Sequence, residues 1–257
     1  MRTVAFDDAI EVEVPRPGGV GRRRDYIGRP GLIDPNPQAF YVDRLYPNAR
    51  IDPHFHDIDQ FQVVVDGFCR MGKKPAPPIT FQYADAYTPY GPIVGEAEGF
   101  AFYTLRPIAS GGFFAMPGNR QNMPGRAGRN IAGAFDLSGA PPPALQAMSA
   151  HLMPEQPDGV DAVGIRLGCG ATATGPASVG GGRYYLVCRG AVAVDGKSLP
   201  ERSLLHVAAE EALPMLTAGP DGADVLALQF ARPSARPGSD PAERAARDPN
   251  AYTRRPD

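Results

Sequence analysis

The sequence predicts an all-β protein built as two tandem antiparallel barrels with little helix, and three observations lead there. Glycine at 30 residues and proline at 29 exceed ordinary usage, while 43% of the chain is hydrophobic. A chain that apolar folds, so the excess marks turns between many short strands. Between the turns, runs such as Phe61-Gln62-Val63-Val64-Val65 and Tyr184-Tyr185-Leu186-Val187-Cys188 are β-branched and aromatic, the composition of paired strands. The second half also repeats the first at an offset of about 124 residues. Arg44-Leu45 recurs as Arg166-Leu167, Gly67 as Gly190, Gly72-Lys73 as Gly196-Lys197, Gly95 as Gly219 and Arg106-Pro107 as Arg232-Pro233. Hairpins without helical crossovers favour barrels or jelly rolls over a parallel sheet.

The parts follow in order. Residues 1–39, rich in Gly, Pro and Arg, read as an arm that packs across a sheet or a partner subunit. Residues 40–107 form the first barrel and 160–233 the second. The linker 108–159 contains Pro141-Pro142-Pro143 and then Ala144-Leu145-Gln146-Ala147-Met148, a short helix starting after the prolines. In the tail 234–257, Asp240-Pro241-Ala242-Glu243 is a capping-box start for one or two helical turns.

A net charge of −2 leaves no electrostatic footprint for nucleic acid or an anionic membrane. Arg22-Arg23-Arg24 reads as a solvated loop. No apolar run approaches the roughly 20 residues of a membrane span, and the start does not resemble a signal peptide. The expectation is a soluble, cytoplasmic protein. Cys69, Cys169 and Cys188 lack C-x-x-C spacing and are expected as reduced thiols in strands.

The candidate site lies in Pro53-His54-Phe55-His56-Asp57-Ile58-Asp59-Gln60. In an extended strand His54 and His56 point the same way, a spacing that lets two imidazoles share one ion. A hairpin through Asp57-Ile58-Asp59 would return Gln60 to the same place. This spacing, closed by Gly67, resembles the first motif of the cupin superfamily, H-x-H-x3-E-x6-G, with Gln60 standing where the motif has glutamate. The resemblance extends over about residues 40–107 and 160–233.

That resemblance implies a divalent metal ion (Fe, Mn, Ni or Zn) held in the first barrel by His54, His56 and Gln60. The neutral amide lowers affinity for a hard cation. Asp59 either compensates or satisfies turn amides. The second motif's stretch, Tyr83 to Ile93, holds no histidine; Tyr90 falls nearest the missing ligand, with Tyr83 and Tyr87 as alternatives. Gln60, Gln62, Tyr90 and Tyr87 are therefore the candidate ligand-binding residues, with Phe81 and Phe102 as an aromatic wall. In the second half, aligning Gly190 with Gly67 puts Ala177, Val179 and Arg183 at the ligand positions, so that barrel reads as structural. His151 and His206 stand in apolar settings and read as structural. Two functions stay open: a metal-dependent oxygenase, isomerase or lyase acting on a small polar molecule, and a non-catalytic metabolite-binding or scaffold protein with a vestigial site. Subunits are expected to pair as a homodimer.

Overall fold

A computed structural model of the chain describes residues 1–16, 19–30, 36–123, 128–177 and 180–234. In chain order its strands are β1 (Arg2–Val4), β2 (Ile10–Arg16), β3 (Gly19–Ile27), β4 (Gln38–Arg44), β5 (Arg50–Ile51), β6 (His54–Phe55), β7 (Gln60–Met71), β8 (Lys74–Ala76), β9 (Thr80–Ala84), β10 (Ile93–Arg106), β11 (Phe114–Ala115) and β12 (Asn130–Ala134). They continue with β13 (Ala147–His151), β14 (Asp161–Leu167), β15 (Thr172–Thr174), β16 (Arg183–Val194), β17 (Lys197–Pro200), β18 (Leu204–Val207) and β19 (Met215–Gln229). Helix among the described residues is confined to two single 3₁₀ turns, Phe6–Asp8 and Arg120–Asn122. None is long and apolar enough to cross a membrane.

The chain divides into two compact units. The first is Ile10–Ala132, with the sheet order β12-β9-β7-β10-β4-β3-β2; β8 pairs with β7, β5 with β10, and β6 forms a separate pair with β11. The second is Gly133–Arg232 together with Met1–Ala9, with the order β1-β18-β16-β19-β14-β13; β15 pairs with β19 and β17 with β16. In each, two long central strands pair antiparallel and are bent by register shifts, between Gly95 and Phe100 in β10 and between Val187 and Arg189 in β16. The bend explains the motif glycine. Gly67 has φ 66°, and a Cβ on it would lie 2.2 Å from the carbonyl oxygen of Gly99. Gly190 repeats this at φ 70° and 2.1 Å from the oxygen of Gly222, so only glycine fits either crossing.

The interiors differ in chemistry at matching ladder positions. In the first unit Gln62 stands opposite Gln82 and Thr104. In the second, the same row is Tyr185, Leu205 and Ala227. The second interior is otherwise Val163, Ile165, Val187, Val207 and Val225. The first becomes apolar only beyond its polar row, at Val64, Ile93, Phe100 and Phe102.

Several sequence expectations are corrected. The described part of residues 1–39 does not pack across a sheet as an arm but adds strands to sheet edges: β1 extends the second unit's sheet through β18, and β2 and β3 extend the first unit's sheet through β4. Arg22, Arg23 and Arg24 are not a solvated loop but part of β3. There Arg24 bonds Glu11 at 2.8 Å and Arg23 bonds Asp25 at 2.6 Å. The expected helix at 144–148 is absent. Leu145 takes a positive φ of 63°, and Ala147–His151 pairs with β14, so edge pairing overrides the helical propensity of Ala, Leu, Gln and Met. The three cysteines are free thiols, Cys69 and Cys188 buried in strands and Cys169 exposed in a turn. The capping box at 240–243 lies outside the described residues.

Candidate functional site

The imidazoles are set by backbone. Strand β6 is bridged to Tyr90, with His54 N–H donating to the Tyr90 carbonyl (3.1 Å) and Tyr90 N–H donating back (3.0 Å). This seats the Tyr90 ring 4.5 Å from His54. The predicted hairpin from β6 to β7 does not form, because β6 pairs with β11 and the intervening carboxylates bond elsewhere. Asp57 accepts from Ser110 Oγ (2.9 Å) and Gly111 N–H (3.0 Å), while Asp59 accepts from Tyr83 Oη and Ala86 N–H, both at 2.8 Å. Asp59 thus holds the loop. The loop still delivers Gln60 to the lumen, where its Nε2 donates to Tyr90 Oη.

At the centre of the lumen lies a residue the motif did not indicate. Arg106, at the end of β10 and 5% exposed, donates Nε to Gln60 Oε1 (3.2 Å) and Nη1 to Gln38 Oε1 (2.6 Å), above the Phe40 ring. Its Nη2 lies 3.3 Å from both ring nitrogens of His56. The tautomers follow from the carbonyls, which only accept. His56 Nδ1–H donates to the Gly112 carbonyl, so Nε2 carries the ring's lone pair while Arg106 lies against the ring. His54 Nδ1–H donates to the Asp52 carbonyl (2.7 Å), leaving its Nε2 lone pair uncommitted. Burial, reinforced by the Arg106 charge, lowers His54 to about 4 and His56 well below the usual imidazole value. Both are neutral at pH 7. Burial pushes the Tyr90 phenol up, so it stays protonated. Gln62 shares the lumen face with Gln60 by strand alternation, and its Oε1 is buried with no partner. Phe113, half exposed, stacks on His54 at 4.1 Å and closes the mouth over the imidazoles.

Of the residues singled out from sequence, His54, His56, Gln60, Gln62 and Tyr90 come together. Tyr87 does not: it packs in a separate cluster with Phe55 and Ala86. Phe102 lies in the lumen cluster, whereas Phe81 packs on Phe61 across the other face of the sheet. Tyr83 bonds Asp59 rather than entering the lumen. Arg106, Gln38 and Phe113 were missed. The repeat paired Arg106-Pro107 with Arg232-Pro233, but the ladder places Gln229 at the Arg106 position, opposite Arg183 at the Gln60 position. At this ladder position each unit has an Arg–Gln pair, Nε to Oε1 at 3.2 Å, with the two residues exchanged between strands.

This donor set does not fit a metal centre as it stands. A cation shared by His54, His56 and Gln60 would lie against Arg106, whose N–H groups approach the His56 ring and the Gln60 oxygen. Arg106 also sets a permanent positive charge where a dication would lie. Among the described residues no cluster of three His, Cys, Asp or Glu side chains is arranged to hold an ion.

No protein-family model and no curated protein matches the sequence. Solved structures do. The chain is similar to a protein from Nostoc punctiforme described as a candidate dioxygenase, at 12% identity and TM-score 0.63, over 88% of this chain and 81% of that one. It is similar to the bacterial pirin YhhW of Escherichia coli in complex with nickel(II), at 12% identity and TM-score 0.55, over 89% and 98%. It is also similar to Bacillus subtilis oxalate decarboxylase, a protein with Mn(II) centres, at 14% identity and TM-score 0.53, over 90% and 77%. Likeness at such identities carries fold and not chemistry, and what it carries here is an all-β architecture of antiparallel sheets.

Proposed function

We propose that the two units are tandem cupin domains and that the first binds a small hydroxylated organic molecule in its lumen without a metal ion. The observation that carries this is the buried Gln62 Oε1, an acceptor without a partner in the polar row, beside the His54 ring whose Nδ1 is already spent on the Asp52 carbonyl. A buried acceptor left unmet costs about 1–3 kcal/mol, which a ligand O–H or N–H would recover. Arg106 supplies the opposite polarity, N–H groups for a ligand oxygen, and Phe113 offers a ring face over the mouth. The second unit fills the equivalent row with Tyr185, Leu205 and Ala227, as a barrel without that duty would. Thermal-shift screening with small polyols and hydroxy acids tests the reading. Compounds that stabilise the wild type are expected to lose their effect on His54→Ala and Gln62→Leu; compounds acting equally on all three proteins would sink it.

A second reading, metal-dependent catalysis at His54 and His56, is favoured by the Nδ1–H bonds of both rings to backbone carbonyls, which turn Nε2 toward the lumen. It requires Arg106 to leave His56. Elemental analysis of untagged protein decides: stoichiometric metal lost in a His54→Ala/His56→Ala double variant would replace the first reading by the second.

A further inference from the structure

The second unit's interior is largely apolar, yet a charged side chain stands within it where it borders a cleft. Arg183 begins β16 and is 2% exposed. Its Nε donates to Gln229 Oε1 (3.2 Å) and its Nη2 to the Ala177 carbonyl (3.0 Å), while Nη1 is buried with no partner. Arg183 lines a cleft of about 810 Å³, a size typical of small-molecule sites. The walls are half polar, with His151 and Gln156, and half apolar, with Met153, Pro157, Val160 and Pro176. Arg232 stands at the rim. The acidic groups do not cancel this. Asp161 attracts the Arg183 charge without forming an ion pair with it, bonding His151 at 3.0 Å instead, and the remaining acid of the lining, Glu155, is exposed. A guanidinium offers planar N–H donors matched to a carboxylate, and an N–H left unmet in a buried setting is stabilised by one.

We propose that this cleft is a second ligand site, independent of the first unit, for a small organic acid whose carboxylate meets Arg183 and whose apolar body lies along Met153, Val160 and Pro176. The test uses the full chain carrying ¹³C-methyl methionine, with benzoate as the probe and benzamide as its neutral counterpart. Met153 reports on the cleft, and its signal is assigned by loss in Met153→Leu. Benzoate is expected to move the Met153 signal saturably below about 10 mM, and benzamide to bind about tenfold or more weakly. Arg183→Gln should weaken benzoate about tenfold or more. Ala177→Trp, at an exposed rim position that leaves Arg183 in place, should block it. The remaining methionine signals show whether Arg183→Gln keeps its fold, and Ala177→Trp decides by itself if that variant unfolds. No saturable movement of Met153, equal binding of benzamide, or undiminished binding by Ala177→Trp would each overturn the proposal.

Discussion

Arg106 turns a pair of metal-spaced histidines into a hydrogen-bonded site. A guanidinium cannot shed its charge in a protein, so the cation beside His56 is permanent and repels a second one at short range. Replacing Arg106 with Gln removes that charge from beside the imidazoles, so the variant is expected to bind Zn²⁺ at least about tenfold more tightly than the wild type. Competition titration with a chromophoric chelator measures it, and equal affinities would show that Arg106 is not what keeps an ion away. The convergence of His54, His56, Gln60, Gln62 and Tyr90 was legible in the sequence, because strand alternation and motif spacing are local rules. Arg106 was not legible. It comes from the far end of another strand, arginine is seldom buried, and its neighbour Pro107 drew the alignment to Arg232-Pro233 rather than to its ladder equivalent Gln229.

At the level of elements, pairing partners decided what local propensity did not. Ala147–His151 carries residues that favour helix, yet it lies along β14 from Ala147 opposite Leu167 to His151 opposite Val163. The barrel strands themselves were readable from their turns and β-branched runs, since those signals and the pairing agree. The destination of β1 was not, because nothing in Arg2-Thr3-Val4 says which distant edge it meets. It meets β18, with Arg2 opposite His206 and Val4 opposite Leu204. Deleting residues 1–5 leaves that edge open and is expected to cost the second unit about 2 kcal/mol. Hydrogen exchange checks it: amides of Leu204–Val207 should lose protection, and unchanged protection would mean the strand adds no stability.

For the whole molecule, three of the four histidines are held neutral by burial. His54 and His206 are lowered to about 4, and His56 well below its usual value. The unfolded chain therefore binds more protons than the folded one as pH falls from about 6.5 toward about 4, and stability declines across that window. Each histidine adds at most about 1.4 kcal/mol per pH unit to the slope. Urea midpoints between pH 7 and 5 should fall, and His206→Leu should flatten the fall by about one proton's share; a profile that the variant leaves unchanged would contradict it. The first unit is also inserted in the chain between β1 and the rest of the second. On a ribosome β1 emerges early, and its partner β18 follows about 200 residues later, on the order of 10–40 s at cellular synthesis rates. Until then β1 lacks its native partner, and its brevity and its charged and polar Arg2 and Thr3 are features that disfavour pairing with another chain's edge.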